Sequence, residues 1–561
     1  MASSVLVLPP IAASTRLDVV FDEKISLKER VHLPETLGIQ GKVNVAPALS
    51  SSNGETVDKG LSSNHVERQL GETEVSYFLP SRESGVNDMY LHLGCRASAS
   101  LVQRERVALV WAIMRVRHPL LASRVTMHGY HDIRFEYNAP LSPFEALEEA
   151  NRALEYRFQT KDELISSYLN GPRTLSSNRL SYLVVSSSES EQEGEQDYHF
   201  LICATHFLGD GMALHQFAND FFGLLGGSLD LASLGQKLSD EWSQRIKSDG
   251  DKGPTLPSSV EDRLPQASTS RWSRATARVD FDQAQRKLIG GHSFPRAKKG
   301  PRHTIVPTVS FERDVTKTIL KTCKARGVSI SAALFAICNI AWARTRSEGW
   351  DLPIMMYSAL NMRPNLLADK HLNDSYWFLA IGYFNVVLPT FFPKSGDASQ
   401  MFWHRARSAK TQSVKAAKSP MNVSRCREMA NERGARARVW AKEDDDKAAE
   451  TVALKPVLAS DPISQSPSKP KVPSAALIGL SLLGNLDGIY KHANFPTIKL
   501  HTLTTGSRQR AGGMLLFGYT FVDKLWISLG YDENGFEEGT VQKFWKNVLS
   551  TVDEFLYNVI I

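Results

Sequence analysis

Between Tyr198 and Leu225 the chain passes from an almost unbroken apolar run, YHFLICAT (198–205), through the turn HFLGDG (206–211), into MALHQFANDFFGLL (212–225). A continuous apolar run suits a strand covered on both faces. The segment after the turn repeats its apolar residues at helical spacing. Leu214, Phe217, Phe221 and Leu224 are expected inward, and Gly226-Gly227 stops the helix. A sandwiched strand followed at once by an amphipathic helix, within a mixed order of β and α segments, suits an α/β protein of two open sheets with helices packed against them.

Other segments agree with that class. Residues 101–117 read as an amphipathic helix with Val107, Val110, Trp111 and Met114 on its apolar face, ended by Pro119. Residues 144–158 read as a second helix, started by Ser142, Pro143 and Glu145, with Phe144, Leu147, Leu154 and Phe158 facing the core. Residues 180–186 read as a strand, and order is expected again at 303–312. An apolar helix follows at 332–344, then strands near 353–360 and 382–388. The C-terminal part reads as a hairpin about Asp523-Lys524, then a helix with Trp545, Val548, Val552 and Phe555 on one face.

The 561 residues exceed what one hydrophobic core organises, so two lobes are expected. Residues 1–68 read as a partly ordered leader and 69–227 as an N-terminal lobe. Residues 228–300 read as an inter-lobe crossover with one helical piece at 281–288, and 301–561 as a C-terminal lobe. Within that lobe 422–472, rich in charge and then in Pro, Ser and Lys, reads as a solvated or disordered insertion. The formal charge of +6 suits attraction of an anionic substrate and equally suits ordinary surface charge. No zinc-ligand spacing, RNA-recognition signature or basic helix with interleaved aromatics is present, which argues against nucleic acid as partner. The five cysteines, Cys95, Cys203, Cys323, Cys338 and Cys426, form no C-x-x-C pair, as expected in a reducing compartment. The N-terminus lacks a basic signal region, and no apolar stretch approaches the roughly 20 residues of a membrane span. A cytoplasmic protein is the expectation.

The chemistry-bearing segment is Thr205-His206-Phe207-Leu208-Gly209-Asp210-Gly211, an H-x-x-x-D-G at the C-terminal end of a buried strand, where α/β proteins present functional groups. Gly209 and Gly211 are expected to allow unusual backbone angles in the turn. The positive end of the next helix disfavours an imidazolium, and a neutral histidine with a pKa close to cytosolic pH is a general base. From these residues alone a satisfied turn histidine is an equal reading. His118 and His215 read as structural, and no metal site is seen.

The segment resembles the HxxxD signature of the superfamily that includes chloramphenicol acetyltransferase, the BAHD plant acyltransferases, alcohol acetyltransferases and the condensation domains of nonribosomal peptide synthetases. Further elements resemble the family in the expected order: Arg117-His118-Pro119-Leu120-Leu121, Gly327-Val328-Ser329, Asn361-Met362-Arg363-Pro364, Gly382-Tyr383-Phe384-Asn385, Ser481-Leu482-Leu483-Gly484 and the tail FGYTFVDKLWISLGYDEN. Together they cover most of 69–561. The sequence departs at Thr205, where condensation domains carry a second histidine, and it lacks the plant DFGWG box. No carrier-protein serine motif and no fused adenylation domain are present. The general look is similar to fungal secondary-metabolite acyltransferases.

The resemblance implies two lobes with a channel between them, acyl-CoA as co-substrate, and no permanently bound cofactor. His206 would take a proton from the hydroxyl or amine of a small-molecule acceptor. Asp210 would form a loop-shaping ion pair with Arg124, Arg117 or Arg363, and Gly211 would allow close packing. Ser481 or Asn385 are candidates for contact with the oxyanion or substrate. Arg508 and Arg510 are candidates for coenzyme A phosphates. Two alternatives stay open: a condensation-type enzyme fed by a carrier-protein thioester, and a silent binding or scaffold member of the fold. A monomer is expected by analogy with two-lobed relatives.

Overall fold

The computed structural model describes residues 64–187, 194–246, 254–346, 348–367, 375–391, 397–453 and 474–557. Two large sheets carry the architecture. The first runs Lys499–Ser507, Met89–Ser98, Glu195–Ala204, Ser181–Ser187, Leu154–Arg157. The second runs Ile381–Leu388, Ile354–Asn361, Ala476–Asn485, Met514–Phe521, Lys524–Asp532, and this last strand pairs with both Thr304–Ile305 and Thr308–Phe311. A three-stranded sheet of His65–Gln69, Asp132–Asn138 and Arg124–Gly129 accompanies them. The protein is therefore a mixed α/β molecule of two lobes.

The strand Glu195–Ala204 is flanked by neighbours on both sides, and its second half is wholly buried, as its apolar run requires. The helix Gly211–Leu225 lies on it, with Phe221 and Phe222 edge-on to Phe200. In the second lobe the helix Ile330–Thr345 is buried along almost its whole length. Lys499–Ser507 follows strands of the second sheet in sequence, yet pairs along its length with Met89–Ser98. That crossing strand fastens one lobe to the other.

Several expectations need correction. Residues 64–69 are ordered: His65–Gln69 pairs with Asp132–Asn138, so structure begins before Arg68, and the leader up to residue 63 lies outside the described residues. The expected helix 144–158 stops at Arg152, and Leu154–Arg157 is a strand beside Ser181–Ser187. Edge pairing with a ready sheet overrides local helical spacing there. Phe144 and Phe158, expected in the core, are 71% and 75% exposed. The crossover holds the helices Leu231–Arg245, Val260–Arg263 and Arg271–Arg286 instead of one piece. The hairpin turns at Val522-Asp523, both at positive φ, with their amides donated to the Asp487 carboxylate at 2.7 and 3.1 Å.

The largest correction concerns 422–472. Residues Asn422–Ala453 form one helix, while 454–473 lie outside the described residues. Cys426, Ala430, Arg433, Ala437 and Ala441 recur at helical spacing and are buried. Small side chains let this helix approach Glu72–Ser81 closely, and Arg438 pairs with Glu72 at 2.7 Å, Arg82 with Asp445, and Arg425 with Asp280 at 2.7 Å. A stripe made of Ala and Cys carries little hydropathy, so the sequence hides it. No single helix among the described residues is long and apolar enough to cross a membrane.

Candidate functional site

His206 follows the strand end directly, and the chain turns at once, with the Leu208 amide donating to the Thr205 carbonyl at 3.2 Å. The imidazole is buried, and its Nδ1 lies 3.0 Å from the Gly209 carbonyl oxygen. A carbonyl only accepts, so the neutral ring carries its proton on Nδ1 and presents a lone pair on Nε2. Nε2 has no hydrogen-bond partner among the described residues. The Tyr77 ring stacks on the imidazole at 4.8 Å, brought there by the helix Glu72–Ser81. Burial pushes the His206 pKa down to about 4, against the opposing pull of Asp210 and the Gly209 hydrogen bond. The group is thus neutral far below cytosolic pH, and burial is the main cause. Neither Gly209 nor Gly211 uses a positive φ; what Gly209 supplies is room, since a side chain there would meet Trp377 at 3.2 Å.

Asp210 is fully buried. Its Oδ1 caps the helix Gly211–Leu225 by accepting from the amides of Met212 and Ala213 at 3.1 and 3.2 Å. The Arg363 guanidinium grips it at 2.9 and 2.8 Å, and the Ala380 amide donates to Oδ2 at 2.9 Å. Arg363 also donates to the Phe378 carbonyl at 3.0 Å. The H-x-x-x-D-G turn of one lobe is thereby clamped by Arg363 and Ala380 of the other. Of the three arginines considered for this role, Arg117 instead pairs with Glu241 and Arg124 with Glu136, each at 2.6 Å.

His206 lines a narrow cavity between the lobes. Gly211, Leu214 and His215 close it on one side, and Ser481, Leu515 and Phe517 of the second sheet on the other. Ser481 Oγ is buried there without a partner. A larger hollow of about 460 Å³ about Trp350, Leu352 and Phe391 lies elsewhere, and its lining includes no histidine and no group near His206. His215, read as structural from the sequence, also lines the cavity; its Nδ1 meets the Tyr490 hydroxyl at 3.0 Å. Asn385 is half-buried opposite Tyr357 in the sheet and does not line the cavity. His118 is buried against Tyr376 and Ser375. Arg508 is buried and spends its guanidinium on the carbonyls of Tyr168, Gly171 and Pro172, at 2.7 to 3.1 Å. That is a structural clamp, not the open channel mouth that coenzyme A phosphates need. Arg510 is half-buried, within electrostatic reach of Tyr357 and Arg433. Tyr77 and Arg433 belong to the site and carry no sequence signal of their own. Among the described residues no group of His, Cys, Asp and Glu is placed to hold a metal ion.

No family model and no curated protein sequence matches the chain. Solved structures do. The TRI3 trichothecene 15-O-acetyltransferase from Fusarium sporotrichioides superposes with a TM-score of 0.66 at 14% identity, over 88% of this chain and 96% of that one. The condensation domain of the monacolin K polyketide synthase MokA gives 0.52 at 10% identity, over 88% and 98%. The epimerization domain from the third module of tyrocidine synthetase B gives 0.50 at 14% identity, over 87% and 98%. The fold is that of the two-lobed acyltransferases and condensation domains, of chloramphenicol acetyltransferase type. The H-x-x-x-D-G turn of this chain stands between its lobes, with Asp210 tied across to Arg363.

Proposed function

We propose that the protein is an acyltransferase that moves an acyl group from a thioester, acyl-CoA in the first instance, to a hydroxyl or amine of a small molecule. The observation that carries this reading is the His206–Gly209 hydrogen bond, which leaves Nε2 of a neutral imidazole without a partner on a residue that lines the cavity between the lobes. Nε2 takes the acceptor proton as oxygen or nitrogen attacks the thioester carbonyl, and returns it to the departing thiolate. Such general-base catalysis contributes roughly 10²–10⁴-fold. The carbonyl oxygen gains charge in that step, and we assign its stabilisation to the unpartnered Ser481 hydroxyl, which lines the same cavity. No covalent acyl-enzyme is required.

The test is release of free thiol from a panel of acyl-CoAs, and from acyl groups on a carrier protein, with and without hydroxyl acceptors. Turnover is expected to fall by at least about 10²-fold in His206→Ala with the melting temperature retained. Equal turnover in wild type and variant would remove His206 from the mechanism. Thiol release only from the carrier-protein substrates would assign the condensation-type donor.

A further inference from the structure

Arg433 occupies a position that is costly for a guanidinium. It projects from the helix Asn422–Ala453, 7% exposed, 4.3 Å over the Tyr383 ring and 5.4 Å from the Tyr77 ring. Its Nε is buried without a partner; the polar groups beside it are the neutral hydroxyls of Tyr77 and Tyr383, and no carboxylate pairs with it among the described residues. Three other arginines of the same helix, Arg425, Arg436 and Arg438, each have a carboxylate. Arg510 brings a second cation to the region, where burial, with the charges of Arg296 and Arg433, pushes it down to about 10. Tyr357 lies within reach of both, and its buried hydroxyl has no partner. Gly479 on the adjoining strand makes room for that ring, since a side chain there would collide with it. Buried charges in proteins are paired, and guanidinium groups pair best with carboxylates.

Location narrows the anion. Tyr77 stands 4.8 Å from the His206 ring and 5.4 Å from Arg433, so the guanidinium is within about 10 Å of the imidazole. The phosphates of coenzyme A are separated from its thioester by the whole pantetheine arm. An anion this close to the reacting carbonyl belongs to the acyl group or to the acceptor.

We propose that Arg433, together with the Tyr357 hydroxyl, binds a carboxylate carried by one of the two reactants. The enzyme thereby selects a dicarboxylic acyl group or a carboxylated acceptor. This rests on the acyl-transfer reading of His206 for its purpose, but not for its first test. Calorimetric titration of the full chain with malonate at constant ionic strength, with malonamide as the neutral twin, reads binding without turnover. Wild type is expected to bind malonate in preference to malonamide. Arg433→Gln is expected to lose at least ten-fold in malonate affinity, and Arg433→Lys to fall between. No malonate preference, or equal binding in wild type and Arg433→Gln, would overturn the site. Arg433→Lys keeps the test valid should Arg433→Gln not fold.

Turnover then locates the carboxylate. A ten-fold fall in the malonyl-CoA over propionyl-CoA ratio of kcat/KM in the variant places it on the acyl group. An unchanged ratio, with KM raised for 3-hydroxybutyrate but not for its methyl ester, places it on the acceptor. Neither change in an active enzyme would overturn the assignment to a reactant, even if His206 is confirmed as base.

Discussion

Asp210 and Ser481 stand near the same imidazole and are expected to fail in opposite ways when altered. Asp210→Asn keeps the shape and much of the helix cap but leaves the Arg363 guanidinium without its counter-charge. Breaking one side of a buried pair costs about 3–5 kcal/mol, and Arg363 is partly exposed, so the low end is expected. Urea denaturation is the measurement: the midpoint falls, and any activity loss follows from the folded fraction. A normal midpoint with an altered pH–rate profile would instead make Asp210 a participant in proton transfer. Ser481→Ala removes a hydroxyl that bonds nothing in the free protein, so stability is expected to hold while kcat falls by roughly 10²-fold. The His206 turn was legible because its residues are contiguous in sequence and mark a strand-to-helix junction. Tyr77 and Arg433 were not, because each lies on a separate helix, and Tyr77 meets the imidazole, and Arg433 the Tyr77 ring, only through tertiary packing.

At the scale of elements, the helix Asn422–Ala453 decides how the site is closed. Its contact face is built of Ala and Cys with Arg433 among them, and Ala437 is 1% exposed. Ala437→Leu forces three carbons into a closely packed helix pair and is expected to cost about 1–3 kcal/mol. Ala435→Leu lies on the exposed face and should stay within about 0.5 kcal/mol. Thermal melts of the two variants separate a packed helix from a solvated one; equal melting temperatures would restore the reading of this segment as an insertion outside the core. The sequence misled here because charge dominates the composition of the helix while burial depends on one narrow stripe. It misled in the other direction at Phe144 and Phe158, where apolar residues at plausible spacing face solvent. It read correctly where hydropathy and periodicity coincide, as in Val107, Val110, Trp111 and Met114, all fully buried. Topology was the least legible part: nothing local to Lys499–Ser507 says that it crosses to the other lobe's sheet.

For the molecule as a whole, the buried histidines set a limit in acid. Burial pushes His118 and His215 down to about 3, and His206 to about 4. In the unfolded chain each titrates near 6.5. Below that pH the unfolded state binds protons that the folded state excludes, so the stability of the neutral folded form is complete above about pH 6.5 and is lost as pH falls toward 4. Each group contributes about 1.4 kcal/mol per pH unit in that window, so three together remove about 6 kcal/mol by pH 5. That rivals the whole stability of an ordinary domain. Urea midpoints are therefore expected to fall steeply between pH 6.5 and 5. His118→Gln, which places an uncharged side chain between Tyr376 and Ser375, should flatten the slope by about 1.4 kcal/mol per pH unit. A slope unchanged in that variant would mean that His118 titrates normally in the fold. The same arithmetic bears on catalysis. His206 itself stays unprotonated down to about pH 4, a range in which the lobes that hold it have already lost most of their stability. The acid limb of activity is then expected to follow unfolding and not protonation of the proposed base. It should move to lower pH in His118→Gln, although that side chain touches neither the cavity nor the imidazole of His206.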